Sequence, residues 1–256
     1  MTQMQNPFVW HDLMVPDVAA AQKFYGTVVG WNFADSGAPD MPYTIINADK
    51  IGVGGMMAFR PEDDKSIPPF WSGYIYVPDV DAKIKDIEKR GGKLYRGPID
   101  VPGMVRFAIM LDPHGAMFNI MTPLTDSPQE KVPPGTVGHV GWNELHAGDL
   151  NEAWDFYAGL FGWTKGTVMP MGDMGDYQLF QIDGKDVGGM MKRQPMLPSN
   201  MWLYYFNVDG IDAAAARITK AGGKIAMGPM QVPGGQWIVS AFDPQGGSFQ
   251  LVSATK

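Results

Sequence analysis

Residues 9–31 read VWHDLMVPDVAAAQKFYGTVVGW, and residues 141–163 read GWNELHAGDLNEAWDFYAGLFGW. Laid over one another, they match at Trp10 and Trp142, Asp12 and Glu144, Leu13 and Leu145, and Asp17 and Asp149. Phe24-Tyr25 answers Phe156-Tyr157, and Gly30-Trp31 answers Gly162-Trp163. The offset is constant at 142 − 10 = 132, so no gap is needed. Self-similarity of this length describes architecture and has to be read before any single residue.

The likeness runs on along the chain. GVGGMM ending at Met57 answers DVGGMM ending at Met191, and DVDAKIKDIEKRGGK from Asp79 answers DGIDAAAARITKAGGK from Asp209. GPIDVPG at Gly97 answers GPMQVPG at Gly228, and DPHG at Asp112 answers DPQG at Asp243. Roughly residues 6–124 are duplicated as 138–254. That period is too long for a solenoid and fits two copies of a small domain. The expected domains are 1–125 and 136–256, joined by a linker at 126–135.

Within the quoted stretch, Phe8 to Val15 alternates and stops at Pro16, which predicts a strand. Asp17 is a good helix N-cap. Val18, Ala21, Phe24, Tyr25 and Val28 then recur at helical spacing up to Gly30. Strands are expected over 43–47 and 52–59, with Gly52, Gly54 and Gly55 marking a bulge or close packing. Residues 71–77 predict a strand, and Asp79 or Asp81 caps a helix that stops at Gly91-Gly92. Two or three strands follow. The pattern of strand, helix and about three strands occurs four times, near 6–62, 70–123, 138–195 and 200–253. The expected class is α+β, with four βαβββ modules in two domains and cupped mixed sheets, because so few helices can cover only one sheet face.

Composition bounds the function. Hydrophobic residues at 45% and charged residues at 18% of 256 describe a globular chain that buries a real core. A formal charge of −7 without a basic run argues against nucleic-acid or anionic-membrane partners. The absence of cysteine excludes disulfides and thiolate chemistry. No run has the length of a membrane span, and the first residues lack a secretory pattern, so a cytoplasmic location is expected. No Gly-rich phosphate loop or nucleophile elbow is present.

The strand–Asp–helix–Phe-Tyr–Gly-Trp opening, the Gly-Gly after the second helix and the Asp-Pro-x-Gly turn resemble the vicinal oxygen chelate superfamily. This group includes glyoxalase I, bleomycin-resistance proteins and extradiol dioxygenases. The resemblance covers nearly the whole chain and is strongest to tandem-domain glyoxalase-like proteins. It implies a cup in each domain and, in members with chemistry, one divalent metal held by His, Glu or Gln. Those ligands come from the first and last strands of paired modules. The matching positions here are Trp10, Trp142, Ser72 and Leu203 on first strands. On last strands they are Met56 (or Met57), Asn119, Met190 (or Met191) and Gln250. None is a histidine or a carboxylate, and neutral amides and thioethers suit Zn, Ni or Fe poorly. The expectation is therefore no metal ligand set and no cofactor.

Strand parity puts Leu13 and Leu145 under the helices, and Trp10, Asp12, Met14, Trp142, Glu144 and His146 on the concave face. Tyr74, Tyr76, Tyr205 and Asn207 are expected to share that face, with Met56, Met57, Met190 and Met191 beside it. Such a wall suits a small apolar or aromatic molecule, since methionine adapts to varied shapes. The same side chains would equally serve as core filler. Asp12, Glu144 and His146 are the candidate acid–base groups, the last two being two residues apart on one strand. A hydrogen-bonded structural carboxylate is the competing reading. His11 is expected to be semi-buried, His114 to face solvent in its turn, and His139 to have no distinguishing neighbour. The chain thus predicts a small-molecule partner and a monomer or homodimer. Three functions compete: binding, metal-independent lyase, isomerase or hydroxylase chemistry, and a structural or interaction role.

Overall fold

A computed structural model describes residues 5–37, 42–60, 63, 66–125 and 132–256. Its first half holds β1 (Phe8–Val15), α1 (Val18–Val28), β2 (Asn32–Asp35), β3 (Thr44–Ala48), β4 (Ile51–Ala58) and β5 (Phe70–Tyr76). There follow α2 (Val80–Lys89), β6 (Lys93–Val101), β7 (Val105–Leu111) and β8 (Met117–Pro123). The second half repeats the order as β9 (Val140–Ala147), α3 (Leu150–Phe161), β10 (Thr164–Pro170), β11 (Asp176–Ile182) and β12 (Lys185–Lys192). It ends with β13 (Met201–Asn207), α4 (Ile211–Lys220), β14 (Lys224–Gln231), β15 (Trp237–Phe242) and β16 (Ser248–Ser253).

The α+β class and the four βαβββ modules are as the sequence predicts. Each half makes one eight-stranded mixed sheet, in the orders β2-β3-β4-β1-β5-β8-β7-β6 and β10-β11-β12-β9-β13-β16-β15-β14. The first strand of every module pairs in parallel with that module's last strand, for example β1 with β4 and β13 with β16. β2 escaped the residue-level reading because its four residues are largely solvent-facing and carry no clear alternation.

The helix starts follow from local chemistry. Asp17 accepts from the Ala20 N–H at 3.0 Å, and Asp149 accepts from the N–H groups of Asn151 and Glu152. Each pairing satisfies orphan donors of the first turn. For α2 the cap is Asp79, accepting from Ala82 N at 2.9 Å, while Asp81 turns to the Arg106 guanidinium instead.

The chain gathers into two compact units, each with its own core. One contains, among its described residues, 5–9, 72–125 and 143–203, so it joins the second module to the third. The other contains the described parts of 10–71 with 132–142 and 204–256, joining the first module to the fourth. In the second of these units the phenol of Tyr25 on α1 donates to Asp243 Oδ2 at 3.0 Å and accepts from Trp71 Nε1 at 3.4 Å. In the other, Tyr157 on α3 donates to Asp112 Oδ2 at 3.2 Å and its hydroxyl accepts from Trp202 Nε1 at 3.0 Å. The tyrosine of each Phe-Tyr pair therefore closes on the aspartate of an Asp-Pro-x-Gly turn from the module it packs against. All four residues of the two pairs are buried, so the bonds form where an unmet polar group would be costly.

Candidate functional site

The parallel register fixes which side chains share a face. Asp12 stands opposite Gly55, Leu13 opposite Met56 and Met14 opposite Met57. In the second half Glu144 stands opposite Gly189, Leu145 opposite Met190 and His146 opposite Met191. Directly paired residues point the same way. Met56 and Met190 thus lie with the leucines, fully buried on the helix side, and their expected place beside the concave face is corrected. Met57 and Met191, one residue on, share the face of the carboxylates. Met56 instead lines a groove of about 410 Å³ with Val18 and Gln22 of α1, Phe33, and Thr44.

Around Asp12 three side chains converge. The Tyr43 phenol donates to Asp12 Oδ1 at 2.6 Å, and Trp10 Nε1 lies 3.0 Å from the same carboxylate oxygen and 2.7 Å from the phenol oxygen. Burial, and then the charge of Asp12, hold the Tyr43 phenol well above its ordinary pKa. Trp10 and Met14 remain half-exposed on the same strand face.

The second half builds the counterpart with a glutamate for the aspartate and a histidine for the methionine. Tyr177 donates to Glu144 Oε2 at 2.8 Å, and His146 Nε2 lies 3.0 Å from Glu144 Oε1. His146 occupies the place that Met14 has in the first half, since 146 − 14 = 132. Its side chain is 8% exposed, and its Nδ1 is buried without a hydrogen-bond partner.

Tyr43 and Tyr177 were not singled out by the sequence reading. The signal lay in their spacing: each stands twelve residues before the second glycine of the Gly-Gly pair, as 55 − 43 and 189 − 177. That glycine exists to let the ring cross. A Cβ on Gly55 would lie 1.8 Å from the Tyr43 hydroxyl oxygen. The first glycine of each pair faces a strand backbone, with a Cβ on Gly54 falling 2.2 Å from His11 O. Close packing explains the repeated glycine pair, and in both halves the register shifts beside it, between Ile46 and Asn47 and between Phe180 and Gln181, so an irregularity of the bulge kind accompanies it.

The other predicted residues divide by unit. Tyr205, opposite Gln250, lies in the unit of Asp12 and is buried. Asn207 shares that unit, but its amide donates to His139 O at 3.0 Å and its backbone brackets residues 138–139. It is a structural tie between strands, which corrects its expected place in a ligand wall. Tyr74 and Tyr76 lie in the unit of Glu144. Tyr74 is buried edge-on against Phe107 at 5.8 Å, and Tyr76 is half-buried. Trp142 is half-buried and alternates in phase with Glu144 along β9. His11 packs edge-on against Tyr204 at 4.7 Å. His114, expected to face solvent, instead bonds Glu152 at 2.7 Å through Nε2 and packs against Gly148.

The residues at the superfamily's metal positions do not fit a divalent transition metal. Asn119 donates to the Ser72 hydroxyl at 2.8 Å, Gln250 to the Ser248 hydroxyl at 3.1 Å, and the rest are indole, thioether or aliphatic. Such donors are neutral and weak toward Mn, Fe or Zn. Among the described residues no group of three or more His, Asp or Glu is placed to hold an ion.

Comparison with known proteins agrees with the fold. The family model of the Glyoxalase/Bleomycin resistance protein/Dioxygenase superfamily matches residues 7–120 and again 136–251. CFP32 of Mycobacterium tuberculosis, provisionally named a glyoxylase, is 30% identical over 247 residues, covering 95% of this chain and 93% of its own. The anthracycline biosynthesis protein DnrV of Streptomyces peucetius is also 30% identical, over 95% of this chain and 91% of its own. In structure, the Mn(II)-bound glyoxalase from Novosphingobium aromaticivorans aligns with a TM-score of 0.67 at 16% identity, covering 99% of this chain and 83% of that one. The 2,3-dioxygenase LapB from Pseudomonas sp. KL28 aligns with a TM-score of 0.68 at 11% identity, covering 100% of this chain and 94% of that one. At these identities the two structures share the fold alone. With both halves matched in turn and the sequence relatives spanning nearly its full length, the chain belongs to the glyoxalase/bleomycin resistance/dioxygenase superfamily.

Proposed function

We propose that this is a small-molecule-binding member of the superfamily. It takes an apolar or aromatic molecule on the tryptophan- and methionine-bearing face of each half, without the usual metal. The carrying observation is the duplicated tyrosine–carboxylate pair, Tyr43 with Asp12 and Tyr177 with Glu144, flanked by half-buried Trp10, Met14 and Trp142. Each pair sets a fixed polar anchor among adaptable apolar side chains, the usual make-up of a ligand site. The name of DnrV supports the aromatic class, since an anthracycline is a planar fused-ring compound. The donor chemistry at the metal positions supports the metal-free part of the reading.

The test is fluorescence quenching of the eight tryptophans, paired with native mass spectrometry, against a panel of hydrophobic and aromatic ligands. The reading expects saturable binding, weakened by Trp10→Ala or Trp142→Ala. A panel without any binder would overturn it in favour of a structural or interaction role.

A second reading is favoured by one contact, His146 to Glu144 at 3.0 Å. It makes the protein a metal-independent lyase, isomerase or hydroxylase with Asp12, Glu144 and His146 moving protons. Under it, Glu144→Gln abolishes turnover of a bound ligand while the fold persists, and chelators change nothing. No helix among the described residues is long and apolar enough to cross a membrane. We take the chain as a cytoplasmic monomer or homodimer with domains at 1–125 and 136–256.

A further inference from the structure

We infer that His146 makes the second half's site selective for an aromatic ligand bearing a hydroxyl, whereas the first half, with Met14 in that place, takes a wholly apolar one. This inference rests on the small-molecule reading above and deepens it.

The two halves correspond at the anchor, where a glutamate answers an aspartate, and they differ in kind at the next side chain of that face. Asp12 and Glu144 correspond, as do Tyr43 and Tyr177, and both carboxylates receive the tyrosine hydroxyl. On the next residue of the same face the first half has a thioether and the second an imidazole.

The tautomer follows from the partners. An ionised carboxylate only accepts, so Glu144, already taking the Tyr177 hydroxyl on Oε2, takes the Nε2–H of His146 on Oε1. In the neutral imidazole the proton thereby sits on Nε2, and Nδ1 is left as an acceptor. This Nδ1 is buried and has no partner, in a side chain more than nine-tenths buried. A buried polar atom without a partner calls for a group that satisfies it on binding. What an acceptor nitrogen needs is a donor, and on an otherwise apolar molecule the compact donor is a hydroxyl. In register beside His146 stands Met191, a flexible side chain that can shift as a ring enters. Tyr177 and Glu144 act as positioning residues, holding the imidazole in this tautomer. The logic is that of a site built to meet a substrate hydroxyl, which rejects the analogue that lacks it.

The experiment uses the full chain and two probes of nearly equal shape, 1-naphthol and naphthalene. Nitrogen-15 correlation spectra of the histidines, with the His146→Met spectrum assigning the signal, are expected to show His146 protonated on Nε2 and bare on Nδ1. By calorimetry, wild type is expected to bind 1-naphthol more tightly than His146→Met does by about 2–10-fold, the worth of one net hydrogen bond. Naphthalene is expected to bind both proteins alike, which also reports that the variant is folded. If both probes bind and the substitution leaves the naphthol affinity unchanged, the inference falls while the binding reading stands. If neither probe binds wild type, both fall. A spectrum with Nδ1 protonated overturns the inference without any ligand.

Discussion

The ring of Tyr177 lies directly over the backbone of Gly189: an ideal Cβ built on that glycine would stand 2.1 Å from Cε1 and 2.6 Å from the hydroxyl oxygen. The glycine is thus part of the anchor, because only a bare Cα lets the phenol reach across β12 to Glu144. Its neighbour Gly188 faces something stiffer, with a Cβ falling 2.1 Å from the backbone oxygen of Asn143.

These two contacts predict an order of damage. Gly189→Ala pushes aside a side chain that can rotate, and overpacking of that kind costs about 1–3 kcal/mol. Gly188→Ala drives into the strand pair itself and is expected to cost more. Urea midpoints of the two variants check the order. Gly189→Ala should also abolish the Tyr177–Glu144 bond, seen as weaker ligand quenching even at temperatures where the variant is folded. Equal midpoints for wild type and both variants would show that the glycines are not there for close approach.

The tyrosine–aspartate bonds predict a matched pair of losses. Tyr25→Phe and Tyr157→Phe each delete a hydroxyl from a fully buried ring and leave an aspartate oxygen short of its donor. Leaving a buried acceptor unmet costs about 1–3 kcal/mol. Both variants are expected to unfold at lower urea. A substitution that is neutral at Tyr25 but costly at Tyr157 would mean that the two compact units are not held by the same device.

Much of this was legible in the chain. The doubled stretch carries its own fold, because Asp17 and Asp149 announce helix starts and the alternation before Pro16 announces a strand. Strand parity put Asp12 and Glu144 on the face opposite Leu13 and Leu145, and the β1–β4 and β9–β12 registers agree. The chain set Met56, Met57, Met190 and Met191 together without dividing them, because the register between two strands is a tertiary fact: one residue of slip moves a side chain to the other face. Tyr43 and Tyr177 were invisible for a similar reason. Each lies some thirty residues from the carboxylate it meets, and only the register of three neighbouring strands brings them together. Asn207 looked like a cup residue because its strand phase is right, yet the backbone of His139 claims its amide.

Asp112 predicts a pH dependence. Burial raises its carboxyl pKa, outweighing the N–H groups of Ala116 and His114 that accompany it. A carboxyl whose folded value exceeds the unfolded value near 3.9 binds more protons in the fold. Its contribution to stability is therefore greatest below about pH 3.9 and declines as pH rises through the folded value. Asp112→Asn keeps an acceptor for the turn but cannot ionise. The stability of the variant relative to wild type is expected to climb over that window and then level off. Urea titrations at half-unit steps from pH 3.5 to 7 read this directly, and a difference that stays constant with pH would refute the assignment.

Two phenols predict the alkaline behaviour. Tyr25 and Tyr43 are both held well above the ordinary phenol value, chiefly by burial and next by Asp243 and Asp12 respectively. Folded stability linked to these groups is intact below the unfolded value of about 10 and lost as pH rises from there through the folded values. In an absorbance titration of the folded protein, Tyr25 and Tyr43 should ionise later than a free phenol, or only as the chain unfolds. Tyr43→Phe should remove one late group from the wild-type titration. Early titration of all nine tyrosines would mean that Asp12 and Tyr43 are open to water.

Metal exposure is expected to separate this chain from the dioxygenases and the manganese glyoxalase whose fold it shares. The carboxylates that remain near the sheet face are already occupied: Asp12 by the Trp10 indole and the Tyr43 hydroxyl, Glu144 by Tyr177 and His146. To bind an ion, either would have to give up these bonds and find further anionic or imidazole ligands. A tight-binding metal would stabilise the fold by about 2.7 kcal/mol at a hundredfold excess over its Kd. The expectation is that Tm is unchanged by EDTA and by added Mn(II), Fe(II) or Zn(II). Elemental analysis after dialysis should find far less than one equivalent of any of them. One retained equivalent that is lost on Asp12→Asn or Glu144→Gln would place an ion at the anchor, and the tyrosine–carboxylate pairs would then have to be reread as a ligand set at rest.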